Sequence, residues 1–326
     1  MSLPTFQLLR PRTLDEALSQ LAAHSGDIKV VAGGTDLLPS MKQKLFTPAY
    51  ILDLRAVREL NGIREIPGEG IAIGALTPLG VIEHSPAVRR DYPVLYEAVK
   101  TVASPVIRNM GTLGGNICLD TRCLWYNQSL VWRKSCGFCL KKDGDLCHVA
   151  PAGKFCWAAF SGDTPPALLC LNAEIEIAGL AGVRRIPLNE FYVNDGIVRL
   201  HLASDEIVTR VFLPASSAGW RGSYQKLRVR GSIDYPLAGV AVALKMRSGR
   251  VEDARMAITA VNPAPQLVKD ADAHLIGASA NEEIAVKIGE LAARTAKPLT
   301  TSALTPEYRR EMVRVFARRA VLQAAN

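Results

Sequence analysis

The spacing of apolar positions changes several times along the chain, and each change marks an element. Residues 6–9 read as a short strand, after which Thr13-Leu14-Asp15-Glu16 predicts a capped helix with Leu14, Ala17, Leu18 and Leu21 on its apolar side. Residues 29–32 form a compact strand running into Gly33-Gly34-Thr35-Asp36-Leu37-Leu38, and residues 50–54 form another. Alternation over 62–75 around Pro67-Gly68-Glu69-Gly70 predicts a hairpin. Helical spacing returns at 78–84 and 92–102, ahead of a second glycine turn at Thr112-Leu113-Gly114-Gly115-Asn116.

Further on, residues 166–172 predict a short helix with Cys170 in the core, 173–187 a hairpin turning at 179–182, and 205–214 a strand. The composition shifts at Ala215-Ser216-Ser217-Ala218-Gly219, and the order of elements changes with it. Strands at 223–229, 239–246 and 251–261 precede helices at 265–276, 281–296 and 305–325. The last helix has Thr305 as N-cap and Pro306 at its first position, with Tyr308, Met312, Val315 and Leu322 on one side. The pattern predicts an α+β protein with domains at 1–216 and 217–326.

The two glycine turns carry the first candidate chemistry. Consecutive glycines let the backbone bend sharply and present its N–H groups, which suits an anion and above all a pyrophosphate. A tight strand-to-helix connection would use the same residues. Neither turn matches G-x-G-x-x-G or the P-loop, so neither of the usual nucleotide folds is supported.

Between the second turn and Ser161-Gly162-Asp163-Thr164-Pro165-Pro166 lies a stretch broken by turn residues and crowded with thiols. Five of the seven cysteines, Cys123, Cys136, Cys139, Cys147 and Cys156, fall within it. The breaks predict a loop that takes its order from a metal centre. By count, four thiolates suit zinc or a [4Fe–4S] cluster equally. With one C-x-x-C knuckle in place of two, the spacing leans towards iron–sulfur. Cys123, Cys139, Cys147 and Cys156 are taken as the ligands, Cys139 over Cys136 because it gives more even intervals. Trp125, Tyr126, Trp132, Phe138, Phe155 and Trp157 are expected to shield the centre, and Arg122, Arg133, Lys134, Lys141, Lys142 and Lys154 to offset its charge. Cys118 is expected beside the ligand of the second glycine turn.

The chain has 326 residues, is 48% hydrophobic and carries a net charge of +8. That is enough apolar sequence for two or more domains. It has no long Lys/Arg block or aromatic-interleaved basic repeat, which excludes the usual nucleic-acid binders and leaves acidic partners or an anionic cofactor. An odd cysteine count does not suit a fully paired disulfide framework. No apolar run is long enough for a membrane span and no signal-peptide pattern opens the sequence, so a cytoplasmic protein is expected. The five histidines are scattered, although His148 adjoins Cys147, and they form no nucleophile–base set.

Taken together, residues 30–38, 108–117 and 161–166 resemble the FAD-binding medium subunit of the molybdenum hydroxylase (xanthine dehydrogenase) family. The resemblance implies a two-subdomain FAD-binding domain of the vanillyl-alcohol-oxidase type followed by a smaller α+β C-terminal domain. It implies FAD contacts from Val30, Val31, Ala32, Gly33, Gly34, Thr35, Asp36 and Leu37, and from Thr112, Gly114, Gly115 and Asn116. Asp163 is placed on the adenosine part and Lys226 towards the flavin. The chain departs from ordinary members by about 40 extra residues, at about 118–159, which hold the five clustered cysteines. The insertion is similar to one that carries an additional [4Fe–4S] cluster in part of the family. The resemblance thus implies a subunit with no catalytic residues of its own, relaying electrons from reduced ferredoxin towards a [2Fe–2S] small subunit and a molybdenum-cofactor large subunit. Two other readings stay open: an FAD subunit with a zinc-held loop that passes electrons to NAD or a quinone, and a flavin-free, zinc-held interaction protein.

Overall fold

The computed structural model describes residues 2–326, and three sheets organise them. The first is parallel, with β1 (Gln7–Leu9), β2 (Ile28–Val31) and β3 (Tyr50–Asp53) in the order β1-β3-β2. The helix Leu14–Ala23 connects β1 to β2; its Thr13 hydroxyl accepts from Glu16 N, and Ala17, Leu18 and Leu21 are buried. The second sheet comprises β4 (Ile63–Ile66), β5 (Gly70–Gly74), β6 (Glu174–Gly179), β7 (Gly182–Pro187) and β8 (Ile207–Pro214), antiparallel in the order β4-β5-β8-β6-β7. Its helical cover runs from Leu79 to Lys100 and includes Thr164–Cys170, where Cys170 is fully buried as expected.

The third sheet is antiparallel: β9 (Arg221–Leu227), β10 (Ala238–Arg247), β11 (Arg250–Thr259) and β12 (Gln266–Leu267), in the order β12-β11-β10-β9. Glu282–Thr295 and Pro306–Ala325 pack on one face of it. The other face supplies Tyr224, Ala241, Ala243 and Ala257 to the core beneath the second sheet, so the C-terminal domain shares a packed interface with the middle of the chain. No described helix is long and apolar enough to cross a membrane.

Three expectations need correction. Pro263 and Pro265 bias Asn262 and Ala264, the residues before them, away from helix, and Gln266 and Leu267 pair with Ile258 and Ala257, so the helix expected over 265–276 shrinks to Ala271–Leu275. The last helix buries Arg309, Val313, Phe316, Ala317, Ala320, Val321 and Ala324, one position round from the expected face, and Tyr308 points outward. Arg309 is responsible. Its guanidinium donates to the carbonyls of Leu237, Leu299 and Ala260, none of which can be inferred from helical spacing. Finally, the cysteine stretch is not loop throughout, because Ser129 caps a helix over Leu130–Ser135.

Candidate functional site

The second glycine turn proves to be a helix start. The Thr112 hydroxyl accepts from Gly115 N at 3.2 Å and caps Leu113–Ile117. The first turn also runs into a helix, Leu37–Lys42. The two turns touch through their backbones: a Cβ built on Gly33 would lie 2.0 Å from the Met110 carbonyl oxygen. Likewise a Cβ on Gly114 would lie 2.7 Å from the Ala75 Cβ. The glycines are required because their chains pass so close. Asn116 Oδ1 then accepts from Thr164 N at 3.0 Å and Thr164 Oγ1 at 2.7 Å, which joins the second turn to the segment after the insertion.

These loops border a cavity of about 1350 Å³. Val30, Val31, Ala32, Gly33, Gly34, Thr35, Asp36, Leu37, Thr112, Gly114, Gly115, Asn116 and Asp163 all line it, as does Cys118. Its size and its backbone-lined glycine bends fit a dinucleotide. Lys226 is the exception. It does not line the cavity; its Nζ donates to Asp163 at 3.1 Å and to the carbonyls of Thr101 and Asp234. Tyr224 Oη donates to the other Asp163 oxygen at 2.8 Å. Burial raises the Asp163 pKa, and Lys226 and Tyr224 oppose that rise. Lys226 therefore acts behind the site, holding an acidic wall residue in place.

Sequence reasoning missed Tyr235 and gave Arg122 a different role. Tyr235 Oη donates to Asp36 at 2.7 Å, Arg122 pairs with Asp36 at 3.0 Å, and the Arg122 guanidinium lies 3.9 Å from the Tyr235 ring centroid. One carboxylate of the first turn thus gathers a side chain from the insertion and one from the C-terminal domain. No local signal reveals this, because Tyr235 and Asp36 are 199 residues apart.

The insertion is pinched at its base, where Arg122 and Ala159 exchange backbone hydrogen bonds of 2.8 Å each. Arg133 fixes its middle to the rest of the chain. Almost fully buried, it donates to the carbonyls of Gln128, Gln43 and Lys44. Inside, Cys123, Cys139, Cys147 and Cys156 are all buried and line one small cavity of about 20 Å³ with Trp125, Tyr126, Lys141 and His148. Cys136 is half-buried and does not line it. Backbone space is tight here too: a Cβ on Gly196 would meet Cys156 Sγ at 2.6 Å. Burial pushes the thiols of Cys123 and Cys156 up to about 11. Among the described residues, no three His, Cys, Asp or Glu side chains are grouped as ligands of one metal ion.

The expected supporting shell is only partly present. Trp125 stacks on His148 with centroids 4.4 Å apart, while Phe155, Lys134 and Lys154 face outward. Lys141 turns inward to Asp120 at 2.8 Å and to Thr121, so it is not offered to a docking partner. Burial alone would raise the Asp120 pKa, but Lys141 and Arg199 outweigh it and hold the carboxyl below its ordinary value.

Residues 4–216 match the FAD binding domain of molybdopterin dehydrogenases, and residues 222–324 the CO dehydrogenase flavoprotein C-terminal domain. The chain belongs to the FAD-binding medium subunits of the xanthine/CO dehydrogenase family of molybdenum hydroxylases. It is 30% identical to the nicotine 6-hydroxylase medium subunit of Paenarthrobacter nicotinovorans over 99% of both chains. It is 29% identical to the carbon monoxide dehydrogenase medium chain of Afipia carboxidovorans, covering 98% of this chain and 96% of that one. Among solved structures, a chain of the Cu,Mo-CO dehydrogenase in its cyanide-inactivated form superposes with a TM-score of 0.83 at 28% identity, covering 100% of this chain and 99% of that chain. The protein is thus an oxidoreductase subunit that binds FAD.

Proposed function

We propose that this family member is the electron-transfer subunit of a molybdenum-containing 4-hydroxybenzoyl-CoA reductase, carrying a [4Fe–4S] cluster in addition to FAD. The observation that carries the reading is the pair of adjoining cavities: four buried cysteines surround the small one, and Cys123 also lines the large one. The cysteine-filled insertion is similar to that of the 4-hydroxybenzoyl-CoA reductase β subunit. Cys123, Cys139, Cys147 and Cys156 would hold the cluster. A [4Fe–4S] cluster is larger than the present void, so binding would spread the four side chains apart. Zinc would use the same four thiolates, and the single C-x-x-C knuckle, where a zinc ribbon has two, is what leans against it. Trp125 and Tyr126 would limit water access, and Lys141 beside Cys156 would offset negative charge.

When bound, the two groups would supply the electron-carrying chemistry connecting reduced ferredoxin to the [2Fe–2S] and molybdenum centres of partner subunits, where the phenolic hydroxyl is removed. The test is to measure iron and acid-labile sulfide in the purified chain and to record its EPR spectrum after reduction. Iron and sulfide in equal amounts, with a reduced-cluster signal, are expected. Zinc without sulfide would sink the cluster assignment. Ferredoxin-dependent consumption of 4-hydroxybenzoyl-CoA by the assembled complex tests the substrate separately.

A further inference from the structure

His148 follows Cys147 and lines the cysteine cavity without being one of its thiols. Its Nε2 is hydrogen-bonded to the Phe138 carbonyl oxygen, which can only accept, so the ring carries a proton on that nitrogen. Phe138 in turn precedes Cys139. The residues just outside the pair Cys139 and Cys147 are thus joined across the loop.

A second closure lies just inside the same pair, where Leu140 N donates to Leu146 O at 2.8 Å. The closures Phe138–His148 and Leu140–Leu146 keep one register, which sets Cys139 opposite Cys147 between them. Beyond the inner closure the turn is tight: Gly144 N donates to Cys139 O at 3.2 Å, and a Cβ on Gly144 would lie 2.8 Å from Cys139 N. Backbone makes the inner closure, whereas the outer one is made by the imidazole. Phe138 sits in the left-handed region with φ at 62°, which a non-glycine residue keeps only where its surroundings hold it. The same imidazole stacks on Trp125, two residues after Cys123, with centroids 4.4 Å apart and 24° between the planes. One ring therefore touches the segments that carry Cys123, Cys139 and Cys147.

We propose that His148 is a positioning residue for the cluster: by holding Phe138 it keeps Cys139 and Cys147 facing each other and slows the escape of iron. The inference rests on the cluster reading of the insertion. Iron leaves only when its thiolates part, and a thiolate that lets go stays close while the loop is clasped on both sides of the pair. Its high local concentration then favours rebinding over loss.

The experiment mixes the cluster-loaded full-length chain, without air, with a ferrous-iron chelator and follows the absorbance of the chelate, recording the EPR spectrum of each reduced variant. His148→Phe keeps a ring on Trp125 but removes the N–H donor, and iron release should quicken at least about fivefold, the order of one lost hydrogen bond. His148→Gln places an N–H donor near the Nε2 position and should recover most of that loss; a Gln variant as fast as the Phe variant would reduce His148 to packing and overturn the proposal. His148→Asn, too short to reach Phe138, gives the same reading should His148→Phe fail to fold. Equal release from wild type and His148→Phe would overturn the proposal while leaving the cluster in place. Strong nitrogen coupling in the pulsed EPR spectrum of the wild type, lost in His148→Gln, would make His148 an iron ligand and also overturn it. A wild-type chain without iron and sulfide would overturn the cluster reading itself, and the role of His148 with it.

Discussion

Gly33→Ala isolates the contact between the two glycine turns. The added methyl carbon would lie 2.0 Å from Met110 O, 2.7 Å from Met110 C and 3.0 Å from Gly111 Cα. All three are backbone atoms, so no side chain can swing away; reaching ordinary contact near 3.4 Å requires one turn to move by more than about 1 Å. Gly33 is not among the residues with positive φ, so the substitution introduces no backbone strain and would even gain about 0.4–1 kcal/mol by restricting the unfolded chain. Overpacking of this kind costs about 1–3 kcal/mol and outweighs that gain. A net loss of about 1 kcal/mol lowers the melting temperature by about 2–4 °C in a domain of this size. Because the displaced atoms border the dinucleotide cavity, FAD affinity should fall at least about tenfold. Differential scanning fluorimetry and flavin fluorescence titration would measure both effects. Gly231→Ala is the control, since its Cβ meets nothing within 4 Å. If Gly33→Ala bound FAD and melted like Gly231→Ala, the claim that the turns are held by backbone contact would be refuted.

Three further outcomes are expected. Cys139→Ala should lose most of the iron measured in the purified chain while Cys136→Ala keeps it, because only Cys139 lines the cysteine cavity; equal retention would return Cys136 to the ligand set. Arg309→Met should destabilise the chain by about 3 kcal/mol in urea unfolding, since the buried carbonyl of Ala260 and the part-buried carbonyls of Leu237 and Leu299 lose their donor; a loss below about 1 kcal/mol would show that they find other partners. The Asp53 carboxyl accepts from Arg55 Nε at 2.9 Å and Nη2 at 2.6 Å, and these hydrogen bonds hold its pKa below the unfolded 3.8. Its contribution is present above that value and disappears as pH falls through the lower folded one. Asp53→Asn should therefore flatten the acid limb of the stability curve, and identical slopes for both proteins would contradict the assignment.

The elements that build the cavity were legible because they are coded locally. Thr13 and Thr305 act as caps within four residues of the amides they serve, and the hairpins over Ile63–Gly74 and Glu174–Pro187 follow a two-residue alternation. The short helices Leu37–Lys42, Pro105–Arg108, Leu113–Ile117 and Leu130–Ser135 were not foreseen, since four to six residues cannot display a helical period. The four chosen cysteines stand apart from Cys136 in the fold, although interval regularity is a weak guide to which thiols a loop turns inward.

By itself, the sequence determined where the backbone bends sharply, which segments pair as hairpins and which stretch is crowded with thiols, because each depends on neighbours a few positions away. Only the tertiary structure decided where charge is spent. Lys226 meets Asp163 across 63 residues and Arg122 meets Asp36 across 86, Lys141 turns inward, and Arg133 and Arg309 are buried on carbonyls. A side chain's partner is fixed by which groups lose water together, and that is settled when distant segments pack.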